Sequence, residues 1–384
     1  MVNYAQSISF THNYIKKKVK TIFYNILEVF MDYKESKFYI EKNQKQIDKF
    51  RKLCQDLPDY AAKFLQSKEF DSSYSTLIVY AYDLNLFFEF LKKSNPQLKD
   101  VELKNIQIEC LEQLNEDDFL EFQHYLRKTT INGKVHTNNN KSIARKITSL
   151  RGLFKFLKRK NYIKYDIVGS IPVPKYNDRK TEIVRLKTEQ DNNELEQFLV
   201  GVNEILENEN ISDHQKNYLA RDYIRDKALI YIFLGTGIRL SECEGLDVSD
   251  VDIDNKSLRI KRKGGFYDTV YFNDKVKDVV DEYLQYRNEK YENEESTALL
   301  LTTSKKRMGV SAIRNVVKKY IKIIMLKHMT THKLRATYGS YLYKITGDIR
   351  LVADVLGHSN INTTAKYYAS QTEENKRKAA EIDL

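Results

Sequence analysis

The sequence predicts a mainly α protein of two domains, helical throughout, with a small antiparallel sheet in the second domain. Three observations predict it. Over most of the 384 residues, apolar side chains recur every three to four positions, the period of a helix with one buried face. The stretch 250–272 instead alternates in the manner of strands, with Asp254-Asn255 and Gly264-Gly265 as turn signals. The stretch DIVGSIPVPKYNDRKTE (166–182) keeps neither period and holds two of the four prolines, as linkers do. The expected organisation is a helical N-terminal extension over 1–50, a helical domain over 51–168, a linker over 169–182, and a mixed domain over 183–384 that ends in a tail helix.

Taken in order, residues 1–50 place Ile15, Val19, Ile22, Ile26 and Phe30 on one stripe flanked by lysines. TIFYNILEVFM (21–31) follows a basic KKKVK, but Asn25 and Glu28 interrupt it and no small-residue cleavage site follows. It reads as an amphipathic helix of a cytosolic protein. From 55 to 165 the pattern is all helical: SYSTLIVYAYDLNLFFEFLKK (73–93), then EDDFLEFQHYLRK (116–128), which opens acidic and closes basic as a helix dipole favours. NKSIARKITSLRGLFKFLKRKNYIKY (140–165) carries nine Lys or Arg and no acid. At 100° per residue, Ile143, Ile147, Leu150, Phe154 and Leu157 share one face. Lys141, Arg145, Lys155 and Arg159 fall on the opposite one. A solvated basic face is the ordinary reading; the complete absence of acids favours a helix laid along a phosphate backbone.

Beyond the linker, RDYIRDKALIYIFLGTGIRLSECEGL (221–246) is an apolar helix, a Gly-Thr-Gly break and a second helix start. After the alternating stretch the helical period returns, including HKLRATYGSYLYKI (332–345) and DIRLVADVLGH (348–358).

Composition narrows the function classes. The net charge of +11 fits a polyanionic partner, although charge alone does not establish one. No apolar run approaches the roughly 20 residues of a membrane span, so no membrane partner is expected. The three cysteines, Cys54, Cys110 and Cys243, form neither a disulfide framework nor a metal-ligand spacing.

Four fragments of the second domain carry chemistry. In GTGIRLSE (235–242), Arg239 follows a Gly-rich break at a helix N-terminus, where backbone N–H groups favour an anion. In KRKGG (261–265), Lys263 stands at a hairpin tip. In THKLR (331–335), His332 and Arg335 are three apart and share a face in a first turn. In LGHSNINTTAKYY (356–368), Gly357 closes a helix and His358 follows on a rigid corner. Each alone reads equally well as a surface or structural residue.

Their order is another matter. Arg239, Lys263, His332, Arg335, His358 and then a tyrosine resemble the tyrosine recombinase (phage integrase) family, over roughly residues 55–375. GTGIRLSE resembles that family's first-arginine motif, KGG its hairpin lysine, H-x-x-R its second box, and LGHSNINTT the run up to the nucleophile. LPDYAAKFLQSK (57–68) and the KRKGG hairpin most resemble the single-component Xer recombinases of Gram-positive bacteria. Two departures stand out: Ala336 where many members have histidine, and an exit YDIVGSIPVPK in place of an Asn-Pro form.

The resemblance implies a core-site (SAM-like) DNA-binding domain followed by a catalytic domain that cleaves and rejoins double-stranded DNA at a recombination site through a 3′-phosphotyrosyl intermediate. It implies a homotetramer on two DNA sites, a nucleoid-associated cytoplasmic protein, and neither cofactor nor ATP. Arg239 and Arg335 would hold the nonbridging oxygens, His332 and His358 would add hydrogen bonds, and Lys263 would protonate the leaving 5′ oxygen. The tail 370–384 would dock on a neighbouring protomer. Family spacing places the nucleophile nine residues after the last histidine, at Tyr367. A helical wheel points the same way. If TTAKYYA is helical after an Asn362 cap, only one tyrosine can face the site. Tyr367 shares the face of Thr363, while Tyr368 pairs with Thr364 on another. A type IB topoisomerase shares the Arg/Lys/Arg/His/Tyr logic and is the enzyme alternative, although a lysine normally stands there where His332 does. A DNA-binding regulator retaining the scaffold is the other alternative. Chromosome dimer resolution and integration of a mobile element both stay open.

Overall fold

A computed structural model describes residues 36–131, 134–175, 185–187, 193–291, 296–325, 329–358 and 360–368. The apolar stripe of Ile15 to Phe30 and the tail 370–384 lie outside the described residues. The chain divides into two compact units, Met1–Asn177 and Asp178–Leu384. Both are mostly helical, and the second holds the three-stranded antiparallel sheet expected from the alternation. Among the described residues, no helix is long and apolar enough to cross a membrane.

In the first unit, polar side chains set the helix starts. Ser73 accepts from the Thr76 amide at the head of Tyr74–Ser94, and Asn139 from the Ser142 amide at the head of Asn140–Arg159. Asn115 and Asp118 cap each other's backbone at Glu116–Arg127. These helices close on an aromatic core in which Phe87 stacks on Phe119 at 5.8 Å and meets Phe122 and Phe154 edge-on.

Three expectations change here. The helix Lys37–Gln55 runs through the boundary drawn at residue 50 and delivers Phe50 and Cys54 to this core, so the unit begins earlier. The segment 169–175, read as linker, is held on the same unit: Ile171 is buried, Arg151 donates to its carbonyl, and Gln123 donates to that of Pro172. The region is also not all helical. Lys128–Ile131 pairs antiparallel with Lys134–Thr137, around an Asn132-Gly133 pair that is a hairpin signal in the sequence itself.

The basic helix Asn140–Arg159 buries Ile143, Ile147, Leu150, Phe154 and Leu157 completely, as the wheel requires. Its opposite face is not one open track. Both terminal nitrogens of Arg145 donate to Asp83, a carboxylate only 4% exposed that also accepts from Ser149. A buried carboxylate is costly unless paired, so Arg145 neutralises Asp83 while its own side chain stays 44% exposed at the surface. At Gly152, a Cβ would lie 2.9 Å from the Phe64 ring, so the helix Asp59–Gln66 crosses closely there. Lys141, Lys155 and Arg159 remain exposed on either side.

In the second unit, Tyr223–Thr236 is buried nearly all round, with Ala228, Leu229, Ile230, Ile232 and Phe233 inaccessible. It packs against Asp274–Lys290 and Thr331–Thr346. Its wholly buried Asp226 is paired by Arg225 at 2.7 Å and Lys319 at 2.9 Å. In the sheet, Val251–Asp252, Ser257–Lys261 and Tyr267–Tyr271 lie side by side, with Ser257 opposite Tyr271 and Lys261 opposite Tyr267. Leu258, Ile260 and Val270 face the core, leaving the hairpin's tip to project.

Candidate active site

Arg239 begins the short helix Leu240–Glu244. The anion expected at this helix start is supplied by the chain: the Arg239 backbone N–H donates to the Glu242 carboxylate at 2.7 Å. Nη1 of Arg239 donates to the other oxygen of Glu242 at 2.8 Å, and Nη2 to the Gly357 carbonyl at 2.8 Å. Glu242 is 1% exposed, and a carboxylate so deeply buried is costly unless paired, as it is here with Arg239.

Arg335 sits in the first turns of Thr331–Thr346 and is buried. Its Nη1 donates to the Gly237 carbonyl at 2.6 Å and its Nη2 to that of Leu356. Gly237 follows Tyr223–Thr236, and Leu356 ends Ile349–Leu356. Carbonyls at helix C-termini have no partner within the helix and carry the negative end of its dipole, so they suit a guanidinium. Two helix ends thus fix the planar fork of Arg335, while Ala336 beside it packs with Val352 and Leu356 in an apolar cluster.

The corner before His358 is equally determined. The His358 amide donates to Ala353 at 2.9 Å and the Gly357 amide to Asp354 at 2.8 Å, the double closure that ends many helices in a left-handed residue. Gly357 has φ +59°, and a Cβ there would lie 2.8 Å from Nε of Arg262. Glycine is required on both counts. Beyond the corner, Nδ1 of His358 pairs with the Thr364 hydroxyl at 2.8 Å, on the helix Ile361–Tyr368.

Both imidazoles lie in the field of the two arginines. Burial, then the charges of Arg335, Arg239, His332 and Arg262, lower the pKa of His358 to about 4. His332 is lowered for the same reasons, desolvation first and then Arg335 and Arg239. Its surface is open to solvent, but the two guanidinium charges act in the same direction as the desolvation. Both rings are therefore neutral at pH 7 and able to accept a proton. The sign for stability follows: between about pH 6.5 and 4 the unfolded chain protonates at His358 and the folded chain does not, so stability falls with pH through that window. Thermal midpoints at pH 7 and pH 5 should differ less in His358→Asn than in the parent chain.

Arg239, His332 and Arg335 line one cleft of about 570 Å³ together with Ser241, Arg314 and Thr331. His358 adjoins them through the Gly357 and Leu356 carbonyls. Lys263 is exposed at the hairpin tip, outside that lining. Tyr367 stands in Ile361–Tyr368, but its side chain and that of Tyr368 lie outside the described residues. Thr364 is the residue of this helix that meets His358. Motif and period do not single out Arg262 and Glu242, which bind each other at 3.3 Å with both side chains at 2% exposure or less. The one signal the sequence offers is that Arg262 precedes Lys263 directly and Glu242 follows Arg239 by three residues.

The chain is similar to known proteins along both units. The N-terminal SAM-like domain of phage integrases matches residues 63–161, and the phage integrase family itself matches 203–374. The tyrosine recombinase XerS of Streptococcus pneumoniae is 28% identical over 360 residues, covering 87% of this chain and 98% of its own. XerS of Streptococcus mutans is 27% identical over 351 residues, covering 86% and 97%. Among solved structures, XerH bound to its difH substrate before cleavage aligns with a TM-score of 0.55 at 23% identity, covering 81% of this chain and 80% of that one. A lambda integrase dimer on a core site aligns at 0.55 and 13% identity, covering 85% and 97%. These structural likenesses concern the fold. With both integrase domains matched in order along most of its length, the chain belongs to the phage integrase family of tyrosine recombinases.

Proposed function

We propose that this chain is a site-specific recombinase whose Tyr367 cleaves DNA and whose Arg239, Lys263, His332, Arg335 and His358 assist it. The observation that carries this is the gathering of two fixed guanidiniums and two neutral imidazoles beside one cleft, with the tyrosine-bearing helix bonded to His358. The Tyr367 hydroxyl oxygen bonds to phosphorus as the bond from phosphorus to the 5′ oxygen breaks. The phenolic proton passes to His332, and Lys263 gives a proton to the departing 5′ oxygen. Arg239 and Arg335 stabilise the extra charge on the nonbridging oxygens with planar, preorganised donors. A 3′-phosphotyrosine and a free 5′ hydroxyl result, and attack by a 5′ hydroxyl reverses the step. The number and type of bonds are conserved, so ATP is not needed.

Double-stranded DNA carrying a recombination site is the partner, bound by the first unit through the exposed ends of Asn140–Arg159. The likeness to XerS favours chromosome dimer resolution, with a homotetramer acting on two sites in the nucleoid-bearing cytoplasm and the tail 370–384 docked on a neighbour. Capture on a nicked DNA library, followed by sequencing of the covalently held strands, tests the reading. One recurrent sequence supports it; relaxation of supercoiled DNA without such a site would mark a topoisomerase instead. In the same assays Lys155→Glu with Arg159→Glu should flatten the log–log salt dependence of affinity by about 0.9 for each phosphate left unneutralised. An unchanged slope would remove this helix from the interface.

A further inference from the structure

Arg262 stands one residue before Lys263, yet the two have opposite surroundings. Lys263 is exposed, whereas Arg262 is 4% exposed and spends every guanidinium nitrogen within the protein. Its Nε donates to Asp268 on the hairpin's second strand at 2.8 Å. Its Nη1 donates to Glu242 at 3.3 Å, the carboxylate that also grips Arg239. Its Nη2 donates to the Val355 carbonyl at 2.9 Å, in the last turn of the helix that ends at Gly357 and His358. The Arg262 backbone N–H closes the hairpin on the Phe266 carbonyl at 2.9 Å. One planar group thus ties both hairpin strands to the carboxylate beside the first arginine and to the histidine corner. Only residues 263–266 project beyond that anchor, so the hairpin carrying Lys263 is pinned at its base.

We infer that Arg262 is a positioning residue: it sets the height and direction from which Lys263 delivers its proton to the 5′ oxygen. The inference rests on the proposed role of Lys263 as the acid. A buried ion pair that merely stabilises the fold would leave the same hydrogen bonds, so the decisive measurement separates proton delivery from folding. A 5′-bridging sulfur at the scissile phosphate leaves as a thiolate and needs no proton, whereas a 5′ oxygen does.

Single-turnover cleavage is measured on matched nicked suicide substrates, one with 5′ oxygen and one with 5′ sulfur, for the parent chain, Lys263→Ala, Arg262→Gln and Asp268→Asn. Arg262→Gln should cut the oxygen substrate about 100-fold more slowly and the sulfur substrate within about threefold of the parent, as Lys263→Ala does. Asp268→Asn, which keeps the hydrogen bonds to Glu242 and Val355, should show a smaller loss with the same recovery on sulfur. Equal losses on both substrates in Arg262→Gln and Asp268→Asn would overturn the inference and make Arg262 a structural residue or one acting through Arg239. Should Arg262→Gln lose DNA binding and melt early, the Asp268→Asn ratio decides alone. A parent chain that cuts neither substrate overturns the proposed function. A Lys263→Ala that recovers on neither removes Lys263 as the acid, and the role of Arg262 with it.

Discussion

Tyr367→Phe should bind DNA like the parent chain and form no covalent adduct on a nicked suicide substrate, while Tyr368→Phe should still form one. The effect is all-or-none because a phenyl ring has no oxygen with which to attack phosphorus. The spacing of nine residues from His358 carries this assignment. The helical wheel does not, since Thr364 is the residue that meets His358. Tyr367 and Tyr368 follow Thr364 by three and four positions, which puts them about 60° and 40° to either side of it. The helical period alone therefore does not choose between the two positions. Denaturing gels of the two variants, run beside binding titrations, check the outcome. An adduct from Tyr367→Phe and none from Tyr368→Phe would move the nucleophile by one residue.

Arg335→Gln should lose both chemistry and stability. The guanidinium is buried at the floor of the cleft and satisfies two carbonyls at once, those of Gly237 and Leu356. Glutamine is too short to reach both, and each buried carbonyl left without a donor costs about 1–3 kcal/mol. For a unit of this size each kcal/mol lowers the melting temperature by roughly 2–4 °C. Loss of a preorganised donor to the developing phosphoryl charge is worth about 100- to 1,000-fold in rate. Arg335→Lys should also fail in cleavage, because an ammonium cannot hold two oxygens with a planar fork. Single-turnover rates and melting curves together test this. Normal cleavage by Arg335→Gln would remove the residue from the chemistry, and an unchanged melting temperature would show that the helix ends do not depend on it.

Much of the site was legible in sequence because its components are local. The closure at Gly357, the three-residue spacing of His332 and Arg335, and the alternation of 250–272 each involve residues a few positions apart, where period and capping chemistry act directly. The hairpin Lys128–Ile131 with Lys134–Thr137 was legible too, in Asn132-Gly133, but lay inside a region otherwise of helical period.

What the sequence by itself determined is therefore the mainly α class, the order of the site residues and the faces of the long helices. Tertiary structure alone decided where the buried charges found their partners. Arg145 meets Asp83 from 62 residues away, Arg335 meets Gly237 from 98, and Arg262 meets Val355 from 93. No periodicity encodes such pairs. A charge removed from water must be satisfied by whatever donors or acceptors the packing brings beside it, and burial, unlike a turn or a cap, is a property of the whole fold.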